Sequence, residues 1–207
     1  KMYRVTNAAG QTVWADKVPS GGKYYLYSDG TDVDSTAPSG KVHFFAQWAP
    51  NTFTVQYHSS DSAAASTQTT EVTYGKSTAT KTLSELGFSN SGYTFIGWKA
   101  YRTYDGTYYV ADAKGKESWQ KSLPAGGDYS LYSEGASIAK TTPSGVVHFY
   151  AQWVPNSFVV KYHLTDTAAA SPITTVVTYG KSTATKTLAD LQFTNPGYSF
   201  IGWKAYR

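Results

Sequence analysis

The chain has 207 residues, no Cys, and a formal net charge of +4 carried by single, scattered Lys and Arg. The missing Cys exclude a disulfide framework and a thiolate metal site, the weak and dispersed charge argues against nucleic acid as a partner, and no apolar run reaches the roughly 18 residues that would insert into a membrane. Eighteen Tyr, eighteen Gly and a charged share of only 15% suit a mostly β chain with wet sheet faces.

Taken in order, residues 5–13 (VTNAAGQTV) predict a hairpin around Asn7-Ala8-Ala9-Gly10. Aromatic strands follow in GGKYYLYSDG at 21–30 and in VHFFAQW at 42–48. In the latter, Val42, Phe44, Ala46 and Trp48 share one face, with His43, Phe45 and Gln47 opposite. Pro50-Asn51 then breaks the chain, and FTVQYH at 53–58 alternates Phe53, Val55 and Tyr57 inward against Thr54, Gln56 and His58. EVTY places Val72 and Tyr74 inward. Thr82 with Glu85 three residues later is a capping box, so a helix of two turns at most is expected near 82–88. SNSGY is a turn and YTFIGW the next strand.

After Arg102 the sequence repeats. VTYGKSTATKTL stands at 72–83 and again at 177–188, and 177 minus 72 gives a period of 105. Residues 53–102 align without a gap to 158–207, with 36 identities in 50 positions. In the second copy Thr187 and Asp190 stand where the first has Thr82 and Glu85. HFFAQW at 43–48 answers HFYAQW at 148–153. The early hairpin is the expected exception in length: VTNAAGQTV corresponds to TYDGTYYVADAKGKES at 103–118, seven residues longer, with Asp105-Gly106 as the matching turn. A period this long is a whole domain rather than a solenoid unit. The expected organisation is the rear half of one bead at 1–49, a complete bead at 53–153 and the front half of a third at 158–207. Lys1 reads as an internal residue of a longer chain. Each bead is expected to be α+β but mostly β, a small mixed sheet of β-grasp-like form with one short helix.

The first strand FTVQYH, the VTYGK segment, the SGYTFIGW turn-strand and the closing HFYAQW together resemble the Listeria–Bacteroides repeat, known also from the B repeat of internalins. The resemblance covers the complete bead and both halves. It implies a β-grasp-like module of extracellular bacterial surface proteins, used in tandem as a stalk or adhesive segment. Its partners would be neighbouring repeats of the same chain or head-to-tail copies of itself. This bead departs from the family in an expanded segment between Gly97-Trp98 and HFYAQW.

No nucleophile motif, phosphate loop or paired carboxylate is present, and no enzymatic activity and no cofactor are expected. His43, His58, His148 and His163 lack the spacing of metal ligands and read as exposed residues on the wet faces of strands, so no metal site is expected. Asp61 and Asp166 would need a second acid nearby for a paired-carboxylate mechanism, and Glu71 and Glu85, replaced by Val176 and Asp190 in the second copy, read as surface residues rather than a catalytic pair. Trp48, Trp98, Trp153 and Trp203 end strands at matching places and read as core pillars. Lys76, Lys81 and Lys181 could form an isopeptide bond only beside a buried acid, which the sequence does not place. Tyr104, Tyr108, Tyr109 and Trp119 flank the long hairpin. Exposed rings there would stack on sugar faces, which makes a glycan or host protein recognised through residues 103–146 the alternative to a stalk.

Overall fold

The computed structural model describes residues 1–33, 36, 39–166 and 172–207. The chain is mostly β and divides into two compact units, Lys1–Trp48 and Ala49–Arg207. Among the described residues no helix is long and apolar enough to cross a membrane.

The first unit is a three-stranded antiparallel sheet in the order β2-β1-β3, with β1 at Tyr3–Thr6, β2 at Thr12–Ala15 and β3 at Lys23–Tyr24. The Asn7 side chain closes its first turn by accepting from the backbone N–H of Ala9 (3.1 Å) and Gln11 (2.8 Å). Gly10 takes the left-handed conformation (φ 80°) that other residues avoid.

The second unit begins with the antiparallel pair β4 (Thr52–His58) and β5 (Thr67–Thr73). Helix α1 (Leu83–Leu86) follows, then the long strand β6 (Tyr93–Arg102). The expanded segment supplies β7 (Thr107–Ala111), β8 (Glu117–Gln120), β9 (Asp128–Tyr129) and β10 (Leu131–Tyr132). Strand β11 (Val146–Pro155) closes the sheet by inserting between β4 and β6, parallel to the former and antiparallel to the latter. The resulting path is β5-β4-β11-β6-β7-β8, with β10 also on β6 and β9 on β7. The chain then continues into β12 (Ser157–Tyr162), β13 (Ile173–Thr178) and α2 (Leu188–Leu191), where β12 and β13 form a separate antiparallel pair.

The expected inward residues of β4 are buried, and Phe53, Val55 and Tyr57 join Val72, Leu86, Phe88, Trp98, Val147, Phe149 and Ala151 in one core. Tyr74 departs from the expectation. It lies beyond the end of β5 and is exposed. The capping box is present at both helices, with the N-cap side chain of Thr82 accepting from Glu85 N–H and that of Thr187 from Asp190 N–H. Residues 133–139 of the expanded segment zip against 75–80: Ile138 N–H donates to Thr78 O (2.9 Å), Gly75 N–H to Ala139 O (2.7 Å) and Thr80 N–H to Ala136 O (2.8 Å). Ile138 closes the core from that side.

Three expectations are corrected. The two hairpins do not differ in length. Val5 pairs with Tyr24 as Val110 pairs with Tyr129, and Arg4 with Trp14 as Tyr109 with Trp119. A constant offset of 105 therefore runs through residues 1–48 and 106–153 without a gap, with 23 identities in 48 positions. The true counterpart of Asn7–Gly10 is Asp112–Gly115, where Asp112 accepts from Lys114 and Lys116 N–H and Gly115 has φ 79°. Asp105-Gly106 is a different turn, between β6 and β7.

Second, VHFFAQW at 42–48 forms no strand, although its counterpart is the centre of β11. Likewise 198–207 forms no strand, although 93–102 is β6. Both stretches need neighbours on each side, and within their own units those neighbours are missing. Third, the four tryptophans are not equivalent pillars. Trp98 is fully buried, Trp153 and Trp203 are half-buried, and Trp48 is 90% exposed.

Candidate binding cleft and inter-repeat joint

Strand alternation divides the four candidate aromatics. Tyr109 and Trp119 are opposite one another on β7 and β8, on the core side of the sheet, with ring centroids 5.3 Å apart. Tyr108 projects to the other face, against Tyr101 (4.7 Å) and Tyr129 (5.7 Å). Tyr104 stands exposed in the β6–β7 turn. One pair therefore forms a site, and the other two residues lie outside it.

Tyr132, from β10, completes that site at 4.8 Å from the Tyr109 ring. The three rings line one wall of a cleft of about 450 Å³, and Ser137, Lys140 and Thr141 line the other. The Arg102 guanidinium lies 4.5 Å over the Trp119 ring. Its Nε donates to Asp105 Oδ1 and Thr107 Oγ1, one Nη to Thr141 O and the other to Asp105 Oδ2 at 2.6 Å. Those bonds, Arg102 first, hold the Asp105 carboxyl below the usual range. Glu117 accepts from Ser130 Oγ and from the Tyr109 hydroxyl, and is likewise held below the usual carboxylate range. Burial and the Glu117 bond push the Tyr109 hydroxyl well up, so it stays a neutral donor.

The first unit carries a related cleft of about 270 Å³, lined by Arg4, Trp14, Tyr27, Asp32 and Thr36 among others. Each of these stands 105 positions before a residue of the larger cleft. Arg4 replaces Tyr109 and lies 5.6 Å over Trp14, so a guanidinium covers the Trp in both copies but comes from different strands. The spacing of hairpin aromatics pointed to Tyr109 and Trp119 but missed Tyr132, Arg102 and Lys140. The gapless offset would have flagged Tyr132 through its match to Tyr27.

The histidines correct a further expectation. His58 and His148 are not isolated surface groups. They face each other across the parallel pair β4 and β11, half-buried, with His58 Nε2 and His148 Nδ1 3.0 Å apart. Tyr150 stacks on His58 at 4.5 Å. Burial holds both imidazoles below the usual His range, and for His58 the neighbouring His148 adds to it while Asp61 opposes it. His43 and His163, their counterparts, are exposed. Among the described residues no group of three or more His, Cys, Asp or Glu could hold a metal ion. Lys76 and Lys181 are exposed and Lys81 is half-exposed.

The joint between repeats is short. Asn156 alone separates β11 from β12. Its N–H donates to Gly92 O (2.8 Å), its side-chain oxygen accepts from Thr94 Oγ1 (2.6 Å), and its carbonyl accepts from Tyr179 N–H (2.7 Å). Tyr179 then packs edge-on against Tyr93 at 5.6 Å. Gly92 has φ 83°, and a Cβ placed on it would lie 2.3 Å from the Tyr179 ring. Gly197, its counterpart, has φ 86° and nothing near. The turn glycine therefore meets a ring at Gly92 and none at Gly197.

No protein-family model matches the chain, and no curated protein or solved structure is significantly similar to it.

Proposed function

We propose that this chain is a structural tandem-repeat segment of a large bacterial cell-surface protein, acting as an extracellular stalk or fibre spacer. The observation that carries the reading is the one-residue joint at Asn156, bonded to both sides and braced by Tyr93 and Tyr179. A flexible linker would leave neighbouring domains free to reorient. This joint removes that freedom, which is what a spacer under load needs. Each repeat is a β-grasp-like bead: its first and last strands, β4 and β11, lie parallel at the sheet centre, and the helix follows the first hairpin. The motifs FTVQYH, VTYGK, SGYTFIGW and HFYAQW, similar to those of the Listeria–Bacteroides repeat, support the extracellular bacterial placement.

The chain lacks Cys, so paired spin labels can be placed cleanly. Labels on Ser84→Cys and Ala189→Cys, matched positions on α1 and α2, should give a single narrow distance distribution. A broad distribution would contradict a rigid spacer.

A second reading, a glycan-binding module, is favoured by the Tyr109–Trp119–Tyr132 cleft. Its aromatic wall offers stacking for a pyranose face, and Ser137, Lys140 and Thr141 offer hydrogen bonds for the ring hydroxyls. Its test is a panel of glycans against the native chain and Trp119→Ala. Binding lost in the variant would support the module, and no binding to the native chain would remove it.

A further inference from the structure

The sheet path of the complete bead ends in β5 on one side and β8 on the other, and the two edges are built differently. β8 is four residues long and lies between Lys116 and Lys121, charges that discourage a further strand. β5 is seven residues long and pairs with β4 without a bulge, and no described strand lies on its other side. It carries no Lys, Pro or Gly, and Glu71 is its one charge. β5 lies inside a complete repeat, so this edge does not depend on where the chain begins or ends.

The ladder shows which backbone groups face outward. At the two ends of the β4–β5 pair, Tyr74 N–H donates to Asn51 O (2.8 Å) and Ser59 N–H donates to Ser66 O (2.9 Å). Residues that bond across an antiparallel pair alternate with residues that do not. Ser66, Gln68, Thr70, Val72 and Tyr74 therefore turn toward β4, and Thr67, Thr69, Glu71 and Thr73 turn their N–H and C=O groups away from it. Of these outward groups the Thr73 carbonyl accepts from Lys76 N–H (3.1 Å). Thr67, Thr69 and Glu71 are exposed.

We propose that β5 is a lateral docking edge for β5 of a second copy of this chain, the two strands running antiparallel about a twofold axis at Thr70. The strand names its own occupant because it is self-complementary in one register. With Thr70 opposite its own copy, Thr69 lies opposite Glu71, Gln68 opposite Val72 and Thr67 opposite Thr73. Every outward-turned residue then meets another. Thr69 and Glu71 exchange N–H···O bonds in both directions, and Thr73 N–H donates to Thr67 O. The Thr69 hydroxyl donates to the Glu71 carboxylate, a cross-strand pair that supports the register. A slide of one residue sets outward groups against inward ones. A slide of two either sets Glu71 against Glu71 or leaves Thr73 outside the ladder. The equivalent strand β13 has Pro172 and Val176 where β5 has Thr67 and Glu71, so it does not repeat this pairing. Main-chain bonds supply the affinity, as in other strand additions. Both molecules use the same patch, so the contact closes on a pair and lays two chains side by side in one continuous sheet.

The chain has no Cys, so single thiols report the register directly. The 207-residue chain is prepared as Thr70→Cys and as Gln68→Cys, and each is mildly oxidised. Opposed residues of a non-hydrogen-bonded antiparallel pair have Cα atoms about 4.5 Å apart, within disulfide reach, so Thr70→Cys should give a covalent dimer. Two chains carrying Gln68→Cys hold their thiols about 13 Å apart along the strands, and this variant should stay monomeric. Thr69→Pro added to Thr70→Cys removes an outward N–H and no bond to β4, and the dimer should be lost. Thr69→Glu, at an exposed position that leaves the backbone alone, sets carboxylate against carboxylate and should slow the cross-link without unfolding the bead. No dimer from Thr70→Cys, or as much dimer from Gln68→Cys, overturns the proposal. A cross-link that neither substitution at Thr69 slows overturns it too. Each of these failures leaves the Ser84–Ala189 distance measurement, and with it the spacer reading, standing on its own.

Discussion

At the scale of single residues, the His58–His148 pair makes the bead pH-dependent. Both imidazoles are held below the usual range by burial, so the folded state keeps them neutral where the unfolded chain takes up protons. The unfolded state then binds more protons as pH falls below about 6.5, and stability must fall with it. The stabilisation is present above that pH and is lost as the pH drops toward the lowered folded values. Both rings keep some contact with water, so the slope is softened by screening. Urea midpoints should therefore be lower at pH 5 than at pH 7.5, and His148→Asn should flatten that difference. An unchanged pH slope in the variant would contradict the coupling. Thr82→Ala should cost about 1 kcal/mol, as loss of an N-cap does, read from the same urea curves. The capping boxes were legible because they are local: two residues three apart carry the whole signal. The histidine pair was not, because 90 residues of chain separate its members and only the parallel register of β4 and β11 brings them together.

At the scale of elements, context decides what a repeated sequence becomes. HFYAQW is buried strand between β4 and β6, and HFFAQW is unpaired and exposed. Local propensity is nearly the same for both, so long-range pairing decides, as is usual for strands. Alternation predicted the inward faces of β4 and β11 correctly, because a strand's period is local. It did not show which copy would find partners. The hairpin lengths misled for a related reason: two turns of similar chemistry, Asp105-Gly106 and Asp112–Gly115, follow one another, and only the strand register shows which matches Asn7–Gly10. The cleft was half legible. Tyr109 and Trp119 stand on adjacent strands, but Tyr132 reaches them from β10 and Arg102 from β6. The joint carries its own prediction. Gly92→Ala would need a strained positive φ and would drive a methyl group into the Tyr179 ring. The Ser84–Ala189 distance should broaden in this variant, whereas the matching change Gly197→Ala should leave it as it was. Equal broadening from both would contradict the role of Gly92 at the joint.

At the scale of the whole molecule, the repeated sequence keeps a constant length. The offset of 105 holds through both halves of the repeat, and the junction at Pro50-Asn51 has the same backbone bond as the one at Asn156: Tyr74 N–H donates to Asn51 O at 2.8 Å. A chain built this way gains length by equal steps, as stacked repeats do, and each step brings a core of its own. Core substitutions should therefore act on one bead at a time. Trp98→Ala, which empties a fully buried site, should cost about 3–5 kcal/mol and unfold its own bead, while Trp203→Ala costs less because Trp203 is half-exposed. Calorimetry on the two variants would show the difference as separate shifts. The central claim, a rigid spacer of repeated beads, is tested most directly by small-angle scattering from chains carrying one, two and three complete 105-residue periods. The maximum dimension should rise by the same increment with each added period and the cross-section should stay constant. A maximum dimension that levels off, or a cross-section that widens with repeat number, would contradict it.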